Sequence, residues 1–212
     1  MTGAAMLTMM MARMNRTNAT LRAKALLEVI LYQQTVLEKG PVLPDFLITR
    51  KATVALSAAD NRFTLPSDFL RELDEDETLW IVDDNSEHQP MVKCDDDDVE
   101  ARFTSDDTGS LPLEYKIEGL YGYTYPIPTV ARTLKLSYYG TGATIADDAV
   151  ETVWLKHAPD LILGGAGLIV NSIYVKDPEA TLIFAGLEAK GMKRLLDEQT
   201  ARAEAGRTRR MG

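Results

Sequence analysis

Apolar positions follow a helical period at both ends of the chain and a two-residue period between them. Within 20–39, Leu21, Ala25, Leu26, Val29, Ile30, Val36 and Leu37 fall at helical spacing, and Gly40 with Pro41 closes the helix. The stretch RKATVALSAADNRFTLPSDFLREL then reads as strand, turn, strand and a short helical turn opened by Ser67 or Asp68. Short strands are predicted in TLWIVDD, QPMVKC, LEYKIEGLYGYTY and RTLKLSYYG. Leu113, Tyr115 and Ile117 alternate with polar residues, as do Leu134, Leu136 and Tyr138, the pattern of half-buried strands. Turn residues at Asp84-Asn85, Asp107-Thr108-Gly109 and Gly140-Thr141-Gly142 separate these strands.

After Ala146 the helical period returns. Pro159 suits a first helical turn, because it has no N–H to lose there, and a helix is predicted over 159–175. Asp177 is placed to cap a last helix, with Pro178 at its first position and Glu179 facing the positive end of its dipole. That helix is predicted to run to about Ala203, with Leu182, Ala185, Ala189, Met192, Leu196 and Gln199 along one stripe. The expected architecture is α+β, a helical bundle made from both ends of the chain with a β-rich insertion between. Its parts are a flexible methionine-rich arm (1–19), the bundle (20–40 and 147–203), the insertion (41–146) and a basic tail (204–212).

Within 154–170, WLKHAPDLILGGAGLIV, three glycines (Gly164, Gly165 and Gly167) interrupt an apolar run. Glycine inside a helix costs about 0.8–1 kcal/mol relative to alanine, so close helix packing, within or between subunits, is the expected compensation. The uncharged run over 161–175 is shorter than the roughly 20 residues of a membrane span. A buried helix is expected there, and no membrane partner. The MTGAAMLTMMMARMNR segment lacks the leading basic residue and long apolar core of a secretory signal.

Charge changes the picture further. The net charge is −9, spread unevenly. Residues 1–27 carry four bases and no acid, 44–112 carry eighteen acids against six bases, and 201–212 carry four arginines and one glutamate. Phosphate binding rests on Lys and Arg, so the acidic middle is a poor grip for DNA. The single Cys94 excludes an internal disulfide and argues against a thiolate metal cluster.

Chemistry-bearing motifs are sparse. His88 sits in a polar turn and His157 precedes a helix. Gly164-Gly165-Ala166-Gly167 lacks the Lys-Ser/Thr of a phosphate loop, and no Gly-x-Ser-x-Gly or His-Glu-x-x-His occurs. Asp95, Asp96, Asp97 and Asp98 are carboxylates of the kind calcium takes, but without the glycine and spacing of a calcium loop they read as a solvated acidic loop. Arg207, Arg209 and Arg210 form either a frayed end or an arm that orders on a partner. No catalytic, metal or cofactor site is expected.

Three segments together resemble the head-to-tail adaptor (connector) proteins of tailed bacteriophages, especially those of short-tailed phages. NRFTLPSDFLREL contains their Leu-Pro-x-Asp-Phe-x-Arg segment at Leu65, Pro66, Asp68, Phe69 and Arg71. YPIPTVARTLKLSYYG is similar to their proline turn and strand ending at Tyr138 and Tyr139. ETVWLKHAPDLILGGAGLIVNSIYVKDPEA is similar to their Trp-Leu, Ala-Pro-Asp and Lys-Asp junctions, through Trp154, Pro159 and Asp160. The resemblance spans roughly 20–200 and departs in the methionine-rich start and the glycines of the third segment.

What the resemblance implies is a structural virion protein of the neck, assembled in the host cytoplasm. Such adaptors form a homo-oligomeric ring, usually dodecameric, beneath the portal protein. The ring extends the DNA channel without sequence-specific binding and offers a platform to a downstream tail or nozzle protein. The resemblance further implies that the arginines at 207, 209 and 210 dock to the portal. Two other readings are a small DNA-packaging or regulatory binding module, and a hydrolase using Asp68, Glu72 and Asp160. The first lacks a broad basic patch with interleaved aromatics, and the second needs paired carboxylates in a pocket.

Overall fold

A computed structural model describes residues 1–41, 43–73, 78–94 and 107–210, with side chains described as far as 201. The protein is mixed α+β, with helices at both ends and a β-rich middle. It divides into two units: Met1–Leu47 with Gly142–Gly212, and Ile48–Thr141.

In the helical unit, α1 (Gly3–Arg13) is capped by Thr2, whose Oγ1 accepts from the Ala5 N–H at 3.2 Å. The N–H groups of Gly3 and Ala4, without partners inside the helix, donate to the Val150 and Asp148 carbonyls. Met6, Leu7, Met10 and Met14 are buried. The methionine-rich stretch is therefore a packed helix and not the flexible arm its composition suggested. Unbranched thioethers fill irregular core space well, so the segment packs without a strong periodic signature.

Next, α2 (Ala19–Leu31) is capped by the Asn18 carboxamide and runs on into a π-helical turn, Tyr32–Leu37. Arg22 joins these elements to the returning chain. Its guanidinium pairs with both carboxylate oxygens of Asp147 at 2.7 and 2.5 Å and donates to the Ala4 carbonyl and the Thr8 hydroxyl. That hydrogen-bonded pairing holds the Asp147 carboxyl below the usual carboxylate range.

Thr152 caps the short α3 (Val153–His157), and α4 (Pro159–Val170) follows with Pro159 in its first turn. A second π-helical turn, Asn171–Val175, ends at Lys176. Then comes α5 (Pro178–Arg210), where the Asp177 carboxylate accepts from the Glu179 and Ala180 N–H groups. The predicted single helix over 159–175 is thus α4 plus a π turn, and the last helix continues to Arg210 where a tail was expected from 204. Every residue of Leu161–Gly167 in α4 is buried, as is Val170. Such a helix is apolar all round because it is enclosed. Among the described residues no helix is long and apolar enough to cross a membrane.

The sheet unit has one antiparallel sheet of five strands. In it β11 (Arg132–Gly140) pairs with β1 (Ile48–Leu56) on one side, and with both β4 (Leu79–Val82) and β3 (Phe69–Glu72) on the other; β5 (His88–Pro90) adds outside β4. A second sheet runs β2 (Arg62–Thr64), β9 (Tyr121–Tyr125), β8 (Glu114–Glu118) and β6 (Val92–Lys93), with β6 and β8 parallel. Two-residue strands β7 (Thr108–Gly109) and β10 (Ile127–Pro128) pair in parallel. Leu134, Leu136 and Tyr138 alternate into a core that also holds Val54, Leu56, Phe63, Leu79, Ile81, Met91 and Tyr115.

Two predictions here need correction. Residues after Asp68 form a strand and not a helical turn, because β11 offers a paired edge that local propensity does not reveal. Leu113 lies outside β8 and is exposed, while Tyr115 of the same alternation is buried.

Candidate interaction surfaces

The glycines of α4 face two neighbours. A Cβ on Gly164 would lie 2.3 Å from the Glu188 backbone nitrogen of α5, and one on Gly167 would lie 2.5 Å from the Phe184 ring. A Cβ on Gly165 would fall 2.0 Å from the Tyr32 ring. From the other side, Gly191 of α5 admits the Leu161 backbone, 2.6 Å from where its Cβ would stand. The helices approach until backbone meets backbone, which compensates for the helix-breaking cost of glycine with dense contact. Tyr32 locks the arrangement by donating to Glu188 Oε1 at 2.8 Å. Burial, with help from that carboxylate, pushes its phenol well above its ordinary range.

α4 sits between α2 and α5, and each of those presents an apolar stripe on its far side. In α5 the packed face is Ala180, Phe184, Gly191 and Leu195. Leu182 (76 % exposed), Met192 and Leu196 lie on the opposite side, with Ala185 and Ala189 between them. The stripe read in the sequence from Leu182 to Leu196 is the outer face of the helix. A Cβ on Gly186, in that outer face, would meet nothing within 4 Å. In α2 the buried face is Ala25 and Val29, while Leu27 (60 % exposed) and Leu31 point outward. Beside Leu27, Tyr174 donates to Glu28 Oε1 at 3.1 Å, and the Lys24 ammonium lies 4.9 Å from its ring centre.

The remaining motif residues meet in the sheet unit. Tyr138, Tyr139 and Gly140 are register partners of Glu72, Arg71 and Phe69. The Tyr138 hydroxyl donates to Asp68 Oδ1 at 2.7 Å, and its ring lies 5.5 Å from that of Phe69. Burial and then the Asp68 carboxylate push the Tyr138 phenol up to about 12. The Arg71 guanidinium stands 5.2 Å from the Tyr139 ring centre, and Leu65 is buried beside the turn at Pro66. This constellation joins β3 to the end of β11.

The carboxylates considered for hydrolysis are engaged locally. Asp68 accepts from Tyr138, Glu72 pairs with Lys93, and Asp160 accepts from Lys190 at 2.9 Å. His88 is exposed on β5, and His157 ends α3 stacked on Phe46 at 5.0 Å. Among the described residues no group of three or more His, Cys, Asp or Glu side chains is placed to hold a metal ion. Asp95, Asp96, Asp97 and Asp98 lie outside the described residues. Arg207, Arg209 and Arg210 belong to the last turns of α5, beyond the described side chains.

What the described residues present is a set of packing devices and exposed apolar helix faces. The family described as SU10 adaptor protein matches residues 1–212. The chain belongs to that family. Membership agrees with the resemblance to phage head-to-tail adaptors carried by the Leu-Pro-x-Asp-Phe-x-Arg, Tyr-Tyr and Trp-Leu segments. No curated protein matches this adaptor. Its exposed α2 and α5 stripes were not recognised from sequence as surfaces. The signal was present in α5 as two apolar stripes, one led by Phe184 and one by Leu182, on a helix that has only one face to bury.

Proposed function

We propose that this adaptor is a structural neck protein that assembles side by side with copies of itself into a ring beneath the portal. The ring extends the DNA channel and gives the next tail component its attachment platform. The observation that carries this reading is the pair of uncovered apolar stripes on α2 and α5. They differ in make-up: α2 presents Leu27 and Leu31, and α5 presents Leu182, Met192 and Leu196 with the small Ala185, Gly186 and Ala189 among them. A contact between two different faces is head-to-tail, and such contacts make a ring where the rotation from copy to copy closes. Apolar stripes of this kind mark association surfaces in proteins that are otherwise polar outside.

The basic end of α5, with Arg207, Arg209 and Arg210, is the proposed portal-docking element, and the packed glycines keep α4 and α5 a rigid pair. Lateral contacts too weak to hold a free ring gain strength when the portal presents copies side by side. The test is native mass, measured on the chain alone and then with the portal protein of the same virus. A ring-sized increment on the portal supports the reading; no association in either state, at low and at physiological salt, overturns it.

A further inference from the structure

The chain leaves the helical unit after Leu47 and returns to it at Gly142, and both connections converge on one side chain. On the outgoing side, Phe46 meets Trp154 edge to face, with ring centres 5.0 Å apart at 88°, and stacks on His157 at 15°. Asp45–Leu47 forms a single tight turn closed by the Leu47 N–H on the Pro44 carbonyl, and the Leu43 carbonyl accepts from Gln199 Nε2 at 2.7 Å. On the returning side, the Gly142 N–H and the Trp154 indole N–H donate to the same carboxylate oxygen, Glu38 Oε1, at 3.1 and 3.0 Å. A Cβ on Gly142 would stand 2.7 Å from Trp154 Cδ1.

Gln33 completes the arrangement. Its Nε2 donates to Glu38 Oε1 and lies within reach of the Gly142 and Ala143 carbonyls, and its Oε1 accepts from the Ile145 N–H at 3.3 Å. Gln33, Glu38 and Trp154 are all buried. Buried backbone groups need partners, and over 142–145 two buried side chains of the first π turn and its end supply them. A network of this kind holds one geometry when complete. Removing one member leaves others unpaired in a low-dielectric site.

We propose that Trp154 makes the two connections a single conformational clamp, which holds and releases both together. Phe46 packs against the indole ring, and the same indole is hydrogen-bonded to the carboxylate that receives Gly142. Loss of the outgoing contact therefore frees the indole and with it the returning segment, although Phe46 is a donor or acceptor to none of the groups there. Both segments the clamp ties together belong to the helical unit. The coupling belongs to the helical unit itself and does not rest on the adaptor reading.

The test is amide hydrogen exchange, resolved by NMR, on the full chain and its Phe46→Ala variant. The reporters are Leu47 on the outgoing side and Gly142 and Ile145 on the returning side. The clamp requires Phe46→Ala to speed exchange at Gly142 and Ile145 by about fivefold or more, with amides in the middle of α4 unchanged, as expected for sub-global opening. Acceleration confined to Leu47, or spread equally into α4, overturns it. Gly142→Ala is the converse probe, which displaces the indole and must speed exchange at Leu47. An unchanged Leu47 in that variant also overturns the clamp, whichever variant folds. Ring formation is read separately by native mass, so failure here leaves the assembly reading standing, and the reverse holds.

Discussion

Tyr32 donates its hydroxyl to Glu188 Oε1 at 2.8 Å, and the same ring fills the space a side chain on Gly165 would need. One aromatic residue thereby fixes the end of α2 against both α4 and α5. The fit depends on what is missing from α4 as much as on what is present.

Glycines of this unit should accordingly divide into two classes. Gly164→Ala pushes a methyl group into the α5 backbone, where nothing flexible can yield, and should destabilise by about 1–3 kcal/mol as overpacking does. Gly186→Ala enters open space and should stabilise by up to about 1 kcal/mol through helix propensity. Paired denaturant melts check both. Equal effects at the two sites would show that close approach is not what α4 requires.

Alkaline pH should loosen the protein. Tyr32, Tyr115 and Tyr138 all have phenols raised above the ordinary 10.0. A raised phenol contributes stability that is fully present below the unfolded value and is lost as pH climbs through the folded one. For Tyr138 that window runs from 10.0 to about 12. Denaturant midpoints should fall across it, and Tyr138→Phe should flatten the fall. A profile as steep as that of the parent protein would exclude Tyr138 as a contributor.

Assembly should depend on both outer stripes without folding depending on either. Leu182→Asp and Leu27→Asp each alter an exposed position and should shift unfolding by no more than about 0.5 kcal/mol. Each should abolish rings. Mixed together, each variant still has one intact face, so the head-to-tail contact yields pairs and nothing larger. Mass photometry on the portal distinguishes pairs from rings, and full rings from either variant alone would refute the contact.

The end of α5 should matter for docking only. Deleting residues 207–212 should leave the melting transition in place and weaken association with the portal. Normal attachment of the shortened chain would rule out the arginines as the docking element.

Much of the fold was legible because its signals are local. Gly40-Pro41, Pro159 and Asp177-Pro178 mark helix ends by chemistry that acts within one turn, and Leu134, Leu136 and Tyr138 alternate strictly because one face of β11 is buried. What was missed depended on partners distant in sequence. The helix α1 is held by Asp148 and Val150, more than a hundred residues away, and β3 exists because β11 runs beside it. The stripe of α5 could not be assigned to the surface from sequence, because periodicity reports an apolar face and not what covers it. The Gln33–Glu38–Trp154 network left no sequence trace, since its residues are individually ordinary and meet only in the folded unit.

Ile48 and Tyr139 are register partners in the five-stranded sheet. The first and last strands of the inserted unit therefore begin and end side by side, as the two prongs of a plug do. A segment rooted in this way is a cassette. It can be lengthened, shortened or exchanged for another fold with neighbouring ends, while the helices keep their threading and the glycines of α4 keep their fit. Diversification of such proteins has an open route in the sheet unit and a nearly closed one at the helix contacts, where a single methyl group is already too much.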